Sequence, residues 1–472
     1  MANSETVNLT SSEPALGSRE ERRAFFRQAA RITAPIALEN FMDAAVSTAD
    51  VLMLSFVSQA ALASSSLASQ VAFIMANLLY GVSSAAAVLV AQYWGKGDRT
   101  AVKRVAGLAL RVALCIGAVF MLLGLLMPDV LMRIYTNDPE LIREGQKYLR
   151  TVSVSYLFGA MSTVYLAVMR SVERVKLSAA VHCSAVGMNV LLNACFIFGW
   201  GFFPKLGVVG VALATSITRV LEFTVCVIDS RLNHTVRVGL RDLTAKVGAL
   251  MRDFFRIAVP AAANDVIWGL AFSVYSVILG HLSSDIVAAN SVANVVRNLG
   301  TVVCFGIAGS GAIMLGKAMG DNRLEQACVW AKRFARMSVI LALIAGGLIL
   351  LCRPLVLRFM GVYVPVTDRV REELSIMLYI NSYYILGMSF NTMLICGIFR
   401  AGGDVRYGLI CDTVTMWGFS VPIGLLCAFV LKLPEMWVYF ILCLDEFVKM
   451  PFNIRHYRKQ QWLNNLTRDQ IA

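Results

Sequence analysis

Three carboxylates share one apolar stretch of the chain: Glu39, Asp43 and Asp50. Their spacing puts them on one face of a helix, within about 40° of one another at 100° per residue. Acids this close in an apolar run must face an aqueous cavity or take up protons. Burial and like-charge crowding both favour the protonated form. Chemistry of this kind moves a proton or holds a cation. A second stretch carries Asn264-Asp265 shortly after Pro260, with Trp268 one turn on. A third carries Asp412, followed by Thr413, Thr415 and Trp417. Asn189 and Asn193, four apart, present two amides on one face; amides bind a cation or a polar substrate but do not titrate.

Each of these residues also has a purely structural reading. Glu39 could lie at an interface, Asp43 and the two amides could hydrogen-bond neighbouring helices, and Asp265 could neutralise an interior arginine such as Arg297. Arg219 and Glu222, three apart, read as a neutralising pair. Asp445, Glu446 and Lys449 read in the same way. The four histidines and eleven cysteines are scattered, with no Cys-x-x-Cys pair and no zinc spacing. No phosphate-binding Gly-x-x-x-x-Gly-Lys-Ser/Thr loop occurs. No metal, cofactor or enzymatic centre is expected.

The elements that carry these residues follow from composition. Of the 472 residues 58% are hydrophobic and only 15% charged, with mean hydropathy +0.67. A soluble domain carries about 25% charged residues. A polytopic membrane protein is expected, and no cleaved signal peptide is read at its start. Twelve runs are long and apolar enough to cross a bilayer: 33–57, 63–93, 104–127, 149–170, 176–199, 207–229, 254–281, 287–318, 329–351, 372–398, 404–430 and 434–453. The formal charge of +13 suggests nucleic acid only until its location is considered. With a cytoplasmic N-terminus, 31 of the 43 Lys and Arg fall in the inner segments, as the positive-inside rule requires. Both termini are therefore expected inside, and no nucleic-acid partner is expected.

The chain also repeats itself. A shift of 225 residues lays Arg31 on Arg256, Pro35 on Pro260, Ser58 on Ser283, Gly81 on Gly306 and Gly95 on Gly320. It also lays Glu39-Asn40 on Asn264-Asp265. A shift of 230 lays Arg170 on Arg400, Lys176 on Arg406 and His182 on Asp412. Six spans per copy, an even number, make the copies parallel, with a binding site expected between them. The expected organisation is an N-terminal segment 1–31, an N-lobe 32–229, a linker 230–253, a C-lobe 254–453 and a tail 454–472.

Taken together, Pro35 and the late Asp50 of helix 1, the run from Pro260 to Gly269 opening helix 7, and the turn Gly402-Gly403-Asp404-Val405-Arg406-Tyr407 leading to Asp412 and Trp417 resemble the multidrug and toxic compound extrusion (MATE) transporters. The resemblance covers about residues 25–465. It implies an all-α fold of two six-helix lobes around a central cleft, and efflux of organic, often cationic, compounds in exchange for H⁺ or Na⁺. By position, Asp50 matches the family's helix 1 acid, while Asp265 and Asp412 resemble the helix 7 and helix 11 acids of one bacterial branch. Another branch carries Asn and Asp four apart in helix 5 before Ile-Phe-Gly. Here Asn189 and Asn193 precede Ile197-Phe198-Gly199, so the second acid is absent.

The expected protein is thus a monomeric multi-pass antiporter of the inner (plasma) membrane. Asp50, Glu39, Asp43, Asn189 and Asn193 are expected to couple the ion, and Asp265, Asp412, Asn264, Trp268 and Trp417 to line the substrate cleft. The rival readings are a flippase for lipid-linked precursors or other polar lipids, which would favour a strongly basic cavity, and a membrane-embedded enzyme, which would need clustered His, Asp or Ser.

Overall fold

The computed structural model describes residues 18–55, 59–200, 203–232, 236–245, 247–363 and 367–468, with side chains described throughout except at 47–52, 54, 55, 59–62, 240, 241 and 361–363. Twelve long helices account for most of it. The first six are α1 (Arg19–Ser55), α2 (Gln59–Lys96), α3 (Arg99–Leu126), α4 (Pro139–Ser171), α5 (Val175–Phe198) and α6 (Val208–Leu232). The second six are α7 (Gly248–Gly280), α8 (Ser284–Gly320), α9 (Leu324–Tyr363), α10 (Asp368–Phe399), α11 (Val405–Val430) and α12, two pieces over 435–458. Among the described residues, α2 to α11 are each long and apolar enough to cross a membrane. α1 and α12 complete the set of twelve and carry interior charges.

Local chemistry sets the ends. Asp98 caps α3 by accepting from the Ala101 amide, and Asp138 before Pro139 caps α4 by accepting from Glu140. Ser283 caps α8 and Thr367 caps α10 in the same way. α5 stops at Gly199, whose φ of 71° is open to a residue without Cβ. At 1.5 Å per residue the 38-residue α2 is roughly 57 Å long, well beyond a hydrocarbon core of about 30 Å.

The two halves interlock where the basic segments lie. α1 begins at Arg19, and Phe25, Ala29, Ile32 and Ile36 sink into the second half's core beside Met314, Phe334 and Met393. α7 begins at Gly248, and Leu250, Phe254, Ile257 and Ala261 sink into the first half's core beside Val82, Leu89 and Val102. These two sets are the same positions one repeat apart. Spacings of 4, 3 and 4 give each set one helix face. The first helix of each copy therefore starts inside the other copy.

Glycines bring the backbones together along this seam. A Cβ at Gly81 would lie 2.6 Å from Ala262 Cβ, and a Cβ at Gly306 would lie 3.1 Å from Ala37 Cβ. Ala37 and Ala262 are again repeat mates, as are the two glycines. Reciprocity of this kind, i against j′ and j against i′, is the signature of a two-fold relation. It realises the parallel duplication read from the sequence. Among the glycines, the outermost cross-lobe approach is Gly269 to Phe73, at 3.5 Å.

Candidate functional site

Two clusters of interior charges, one per half, hold several of the candidate residues. In the first half, Glu39 of α1 is buried and accepts from Arg170 Nη1 of α4 at 2.8 Å. Arg170 also reaches Ser178 Oγ of α5, at 3.1 Å. One turn along α1, Asp43 Oδ1 lies 2.8 Å from His182 Nε2 of α5. The other ring nitrogen faces Glu222 Oε1 of α6 at 3.5 Å, and Arg219 Nη1 holds Glu222 Oε2 at 2.7 Å. Further along α5, Asn193 donates to Asn189 Oδ1 (3.1 Å), and Asn189 donates to Thr215 of α6 (3.3 Å). The amides thus form an interhelical link. The backbone of α1 carries Asp50, whose side chain lies outside the described residues.

In the second half, a buried ammonium stands among three carboxylates. Lys449 Nζ of α12 is 2.9 Å from Asp412 Oδ1 of α11, 3.0 Å from Glu446 Oε1 and 3.5 Å from Asp445 Oδ2. Asn264 of α7 donates to the second Asp412 oxygen at 3.1 Å. Asn391 of α10 donates to Glu446 at 2.8 Å, and Asn453 donates to Asn391 at 2.8 Å. Four helices therefore share one polar core. A lone buried charge costs several kcal/mol, about 2.5–3.5 for insertion at the centre of a membrane helix. Opposite charges and amides at these distances offset that cost.

Asp412 begins a run of widened, π-type turns over 413–420, just before Pro422. Proline has no N–H to continue an α-ladder, and such turns often occur beside working residues.

Asp265 has a different position. Its Oδ2 is buried without a hydrogen-bond partner, and the guanidinium of Arg400 lies close enough for its charge to act there. Arg400 also stands over the Tyr80 ring of α2, 5.4 Å from its centroid, across the seam. The interior arginine raised as a partner for Asp265 is thus corrected. Arg297 instead lies over Phe272 and Tyr384, at 5.2 and 5.5 Å, where the ring faces take its charge in place of a carboxylate. Trp268 packs on Phe272 at 4.4 Å, and Trp417 Nε1 donates to Ile267 O at 3.2 Å, fastening α11 to α7. A cavity of about 30 Å³, room for a water or two, is lined by Tyr275, Asn294, Arg297 and Tyr384. The larger cavity, about 500 Å³, lies around Arg369, Glu373 and Glu435 and holds no candidate residue.

The structure therefore brings Glu39 and Asp43 into one cluster, and Asn264 and Asp412 into the other. Asn189 and Asn193 sit beyond the first cluster, and Trp268 and Trp417 brace the second. The Arg219–Glu222 pair forms as its spacing suggested, but His182 joins it to Asp43. Spacing alone pairs Lys449 with Asp445 and Glu446 near a helix end, whereas in the fold Lys449 also reaches across to Asp412. The sequence offered one signal for both joins: His182 and Asp412 fall on each other at the 230 shift. Among the described residues no group of three or more His, Cys, Asp or Glu is arranged to hold a metal ion.

At the basic end, repeat mates Gln92 and Lys317 both cross the seam. Gln92 donates to Ala401 O at 2.8 Å, and Lys317 pairs with Glu173 at 2.9 Å. A tail from α12 is laid over this seam. Trp462 is buried, the Leu466 amide donates to Gln92 Oε1 (2.6 Å), and Arg468 pairs with Asp253 (2.7 Å).

Comparison with known proteins places this architecture. The MatE family matches residues 35–195 and 260–426. The "Probable multidrug resistance protein YoeA" of Bacillus subtilis (strain 168) is 22% identical over 443 residues, 91% of this chain and 93% of its own. The "Probable multidrug resistance protein NorM" of Thermotoga maritima is 20% identical, over 96% of this chain and 97% of its own. Among solved structures, one described as the outward-facing conformation of a multidrug resistance MATE family transporter superposes with a TM-score of 0.84. It is 18% identical and covers 92% of this chain and 96% of the other.

Proposed function

Because the chain belongs to the MatE family, a family of multi-pass membrane transporters, we propose that it is a secondary active antiporter. It exports small organic compounds, cationic or amphipathic, in exchange for H⁺ or Na⁺. The two lobes of this reading are 32–229 and 254–453, in the inner membrane with both termini cytoplasmic. The distribution of Lys and Arg supports that orientation.

The observation that most supports the reading is the division of labour along the helices. Repeat-related backbones close the basic end, and each half holds a cluster of ionisable groups farther along the same helices. A rocking pair of lobes needs both features: a seam able to open and a charge in each lobe whose state differs between conformations. Asp265, Asn264 and the two tryptophans supply an acid, an amide and aromatic surface suited to a cationic, partly apolar substrate. The acids of α1, with Asp50 foremost, take up the ion, and the amides Asn189 and Asn193 support them. A ligand shifts a two-state equilibrium only by its difference in affinity between the states, so ion and substrate must favour opposite conformations.

The test is drug resistance in an efflux-deficient host. Asp50→Asn abolishes resistance to ethidium while membrane expression persists. Full resistance in that variant removes Asp50 from the coupling role.

A further inference from the structure

The acids of the first half are not equivalent. Glu39 has its own cation in Arg170, and Glu222 has its own in Arg219. Asp43 touches neither arginine: its described hydrogen-bond partner is a histidine, and Arg219 acts on it only from farther away. His182 stands between Asp43 of α1 and Glu222 of α6, with one ring nitrogen toward each carboxylate. Exposure is graded along this line: the Asp43 side chain is 57% exposed, His182 16% and Glu222 1%.

A neutral imidazole has one N–H and one lone pair. Between two carboxylates it can donate to only one, and its lone pair then faces the anionic oxygens of the other. An imidazolium donates to both. The groups around it set the charge balance. Asp43 faces it from α1 and Glu222 from α6, where Arg219 holds Glu222; the Glu39–Arg170 pair of α1 and α4 lies one turn of α1 away, with Ser178 and Cys183 on its own helix. Two arginines balance two of the three acids, and one proton on His182 balances the third. Without that proton the cluster carries one uncompensated negative charge. With it, α1 is tied to both α5 and α6.

The repeat gives an internal control. At the corresponding position of the second half, Asp412 grips Lys449 at 2.9 Å. A primary ammonium is a cation throughout the physiological range, whereas imidazole titrates near pH 6.5. The same place in the fold thus holds a fixed ion pair in one lobe and a switchable one in the other.

We infer that His182 is a proton carrier of the first lobe, working alongside the acids of α1. Protonated, it ties Asp43 to Glu222. Its proton leaves from Nε2 through Asp43 to water, and α1 is then free to move against α5 and α6. The inference rests on the antiport reading and adds to it the identity of the ion, H⁺, and a second carrier, His182, beside the α1 acids.

The experiment uses the full chain in lipid nanodiscs, labelled with ¹⁵N-histidine. The chain has four histidines, and the His182 signal is the one lost in His182→Gln. Between pH 5 and 9, His182 takes up one proton. Relative to the intrinsic, base-catalysed rate of amide exchange at each pH, hydrogen–deuterium exchange of the 36–46 segment of α1 is several-fold faster in the deprotonated form. In His182→Gln that corrected exchange no longer depends on pH. Should this variant fail to fold, Glu222→Gln leaves the ring and Asp43 in place, and losing an anion moves the His182 midpoint to lower pH. A His182 signal that keeps one protonation state over the whole range overturns the inference. So does an unmoved midpoint in Glu222→Gln, or an unchanged pH dependence of the corrected α1 exchange in His182→Gln. Failure of the antiport reading looks different. Ethidium transport by wild-type liposomes would then ignore every ion gradient, whatever His182 titrates. Proton-driven transport with the same pH profile in His182→Gln removes the inference and leaves antiport standing.

Discussion

The backbone carbonyl of Lys317 fills the space a side chain would need at Gly95, and one repeat away the carbonyl of Gln92 fills the same space at Gly320. Gln92 and Lys317 are repeat mates, so one contact is made twice about a two-fold axis. It closes the basic end by backbone approach, which no larger residue permits. Gly95→Val and Gly320→Val should each push α2 and α8 apart. Spin labels at the basic ends of these helices, in a background lacking reactive cysteines, report the distance. It lengthens in both variants, by similar amounts; a wild-type distance in either one removes the two-fold seam.

The Lys449 cluster makes a stability prediction. Removing one partner of a buried ion pair costs about 3–5 kcal/mol because it strands the other charge. Lys449→Met leaves Asp412, Asp445 and Glu446 without their cation, and Tm in detergent falls sharply. Adding Asp412→Asn recovers part of the loss. Two losses that simply add would mean the residues are not coupled.

Glu39 and Arg170 form an unequal pair. The Glu39 side chain is 7% exposed and that of Arg170 is 26%. Arg170→Met leaves a carboxylate buried without its cation, whereas Glu39→Gln leaves a guanidinium that can still reach Ser178 and water. Thermal melts should show the larger loss for Arg170→Met, about 3 kcal/mol or more. The reverse order would mean that Glu39 is protonated in the folded protein.

The tail behaves as a strap rather than a loose end. Trp462 is fully buried, stacks on Tyr457 and lies against the Gly402 turn. Trp462→Ala should cost about 3–5 kcal/mol and loosen the basic end. Arg468→Ala breaks only an exposed pair with Asp253, which solvent screens, so its effect is small. Equal effects of the two in a thermal melt would contradict this ranking.

Much of this architecture was legible in the residues. Apolar runs of bilayer length gave the helices, and Pro35/Pro260, Gly81/Gly306 and Gly95/Gly320 gave the duplication, because glycine and proline mark backbone requirements that packing alone does not. What lay hidden had physical causes. The start of α1, from Arg19 to Arg31, is helical but too charged to stand out by hydropathy, so hydropathy does not report its docking on the opposite half. The join of Lys449 to Asp412 depends on the packing of α11 on α12, which residue spacing within one helix does not report. His182 was isolated in sequence, and only the placing of α1 and α6 on either side of α5 gives it two carboxylates.

The account as a whole is tested most directly by transport. Purified protein in sealed liposomes is given ethidium with an imposed H⁺ gradient, then with an imposed Na⁺ gradient, each applied alone. One of the two should drive ethidium uphill against the flow of the ion, and collapsing that gradient should abolish accumulation. Ethidium movement at the same rate with both gradients absent would contradict the proposal that this chain is an ion-coupled antiporter.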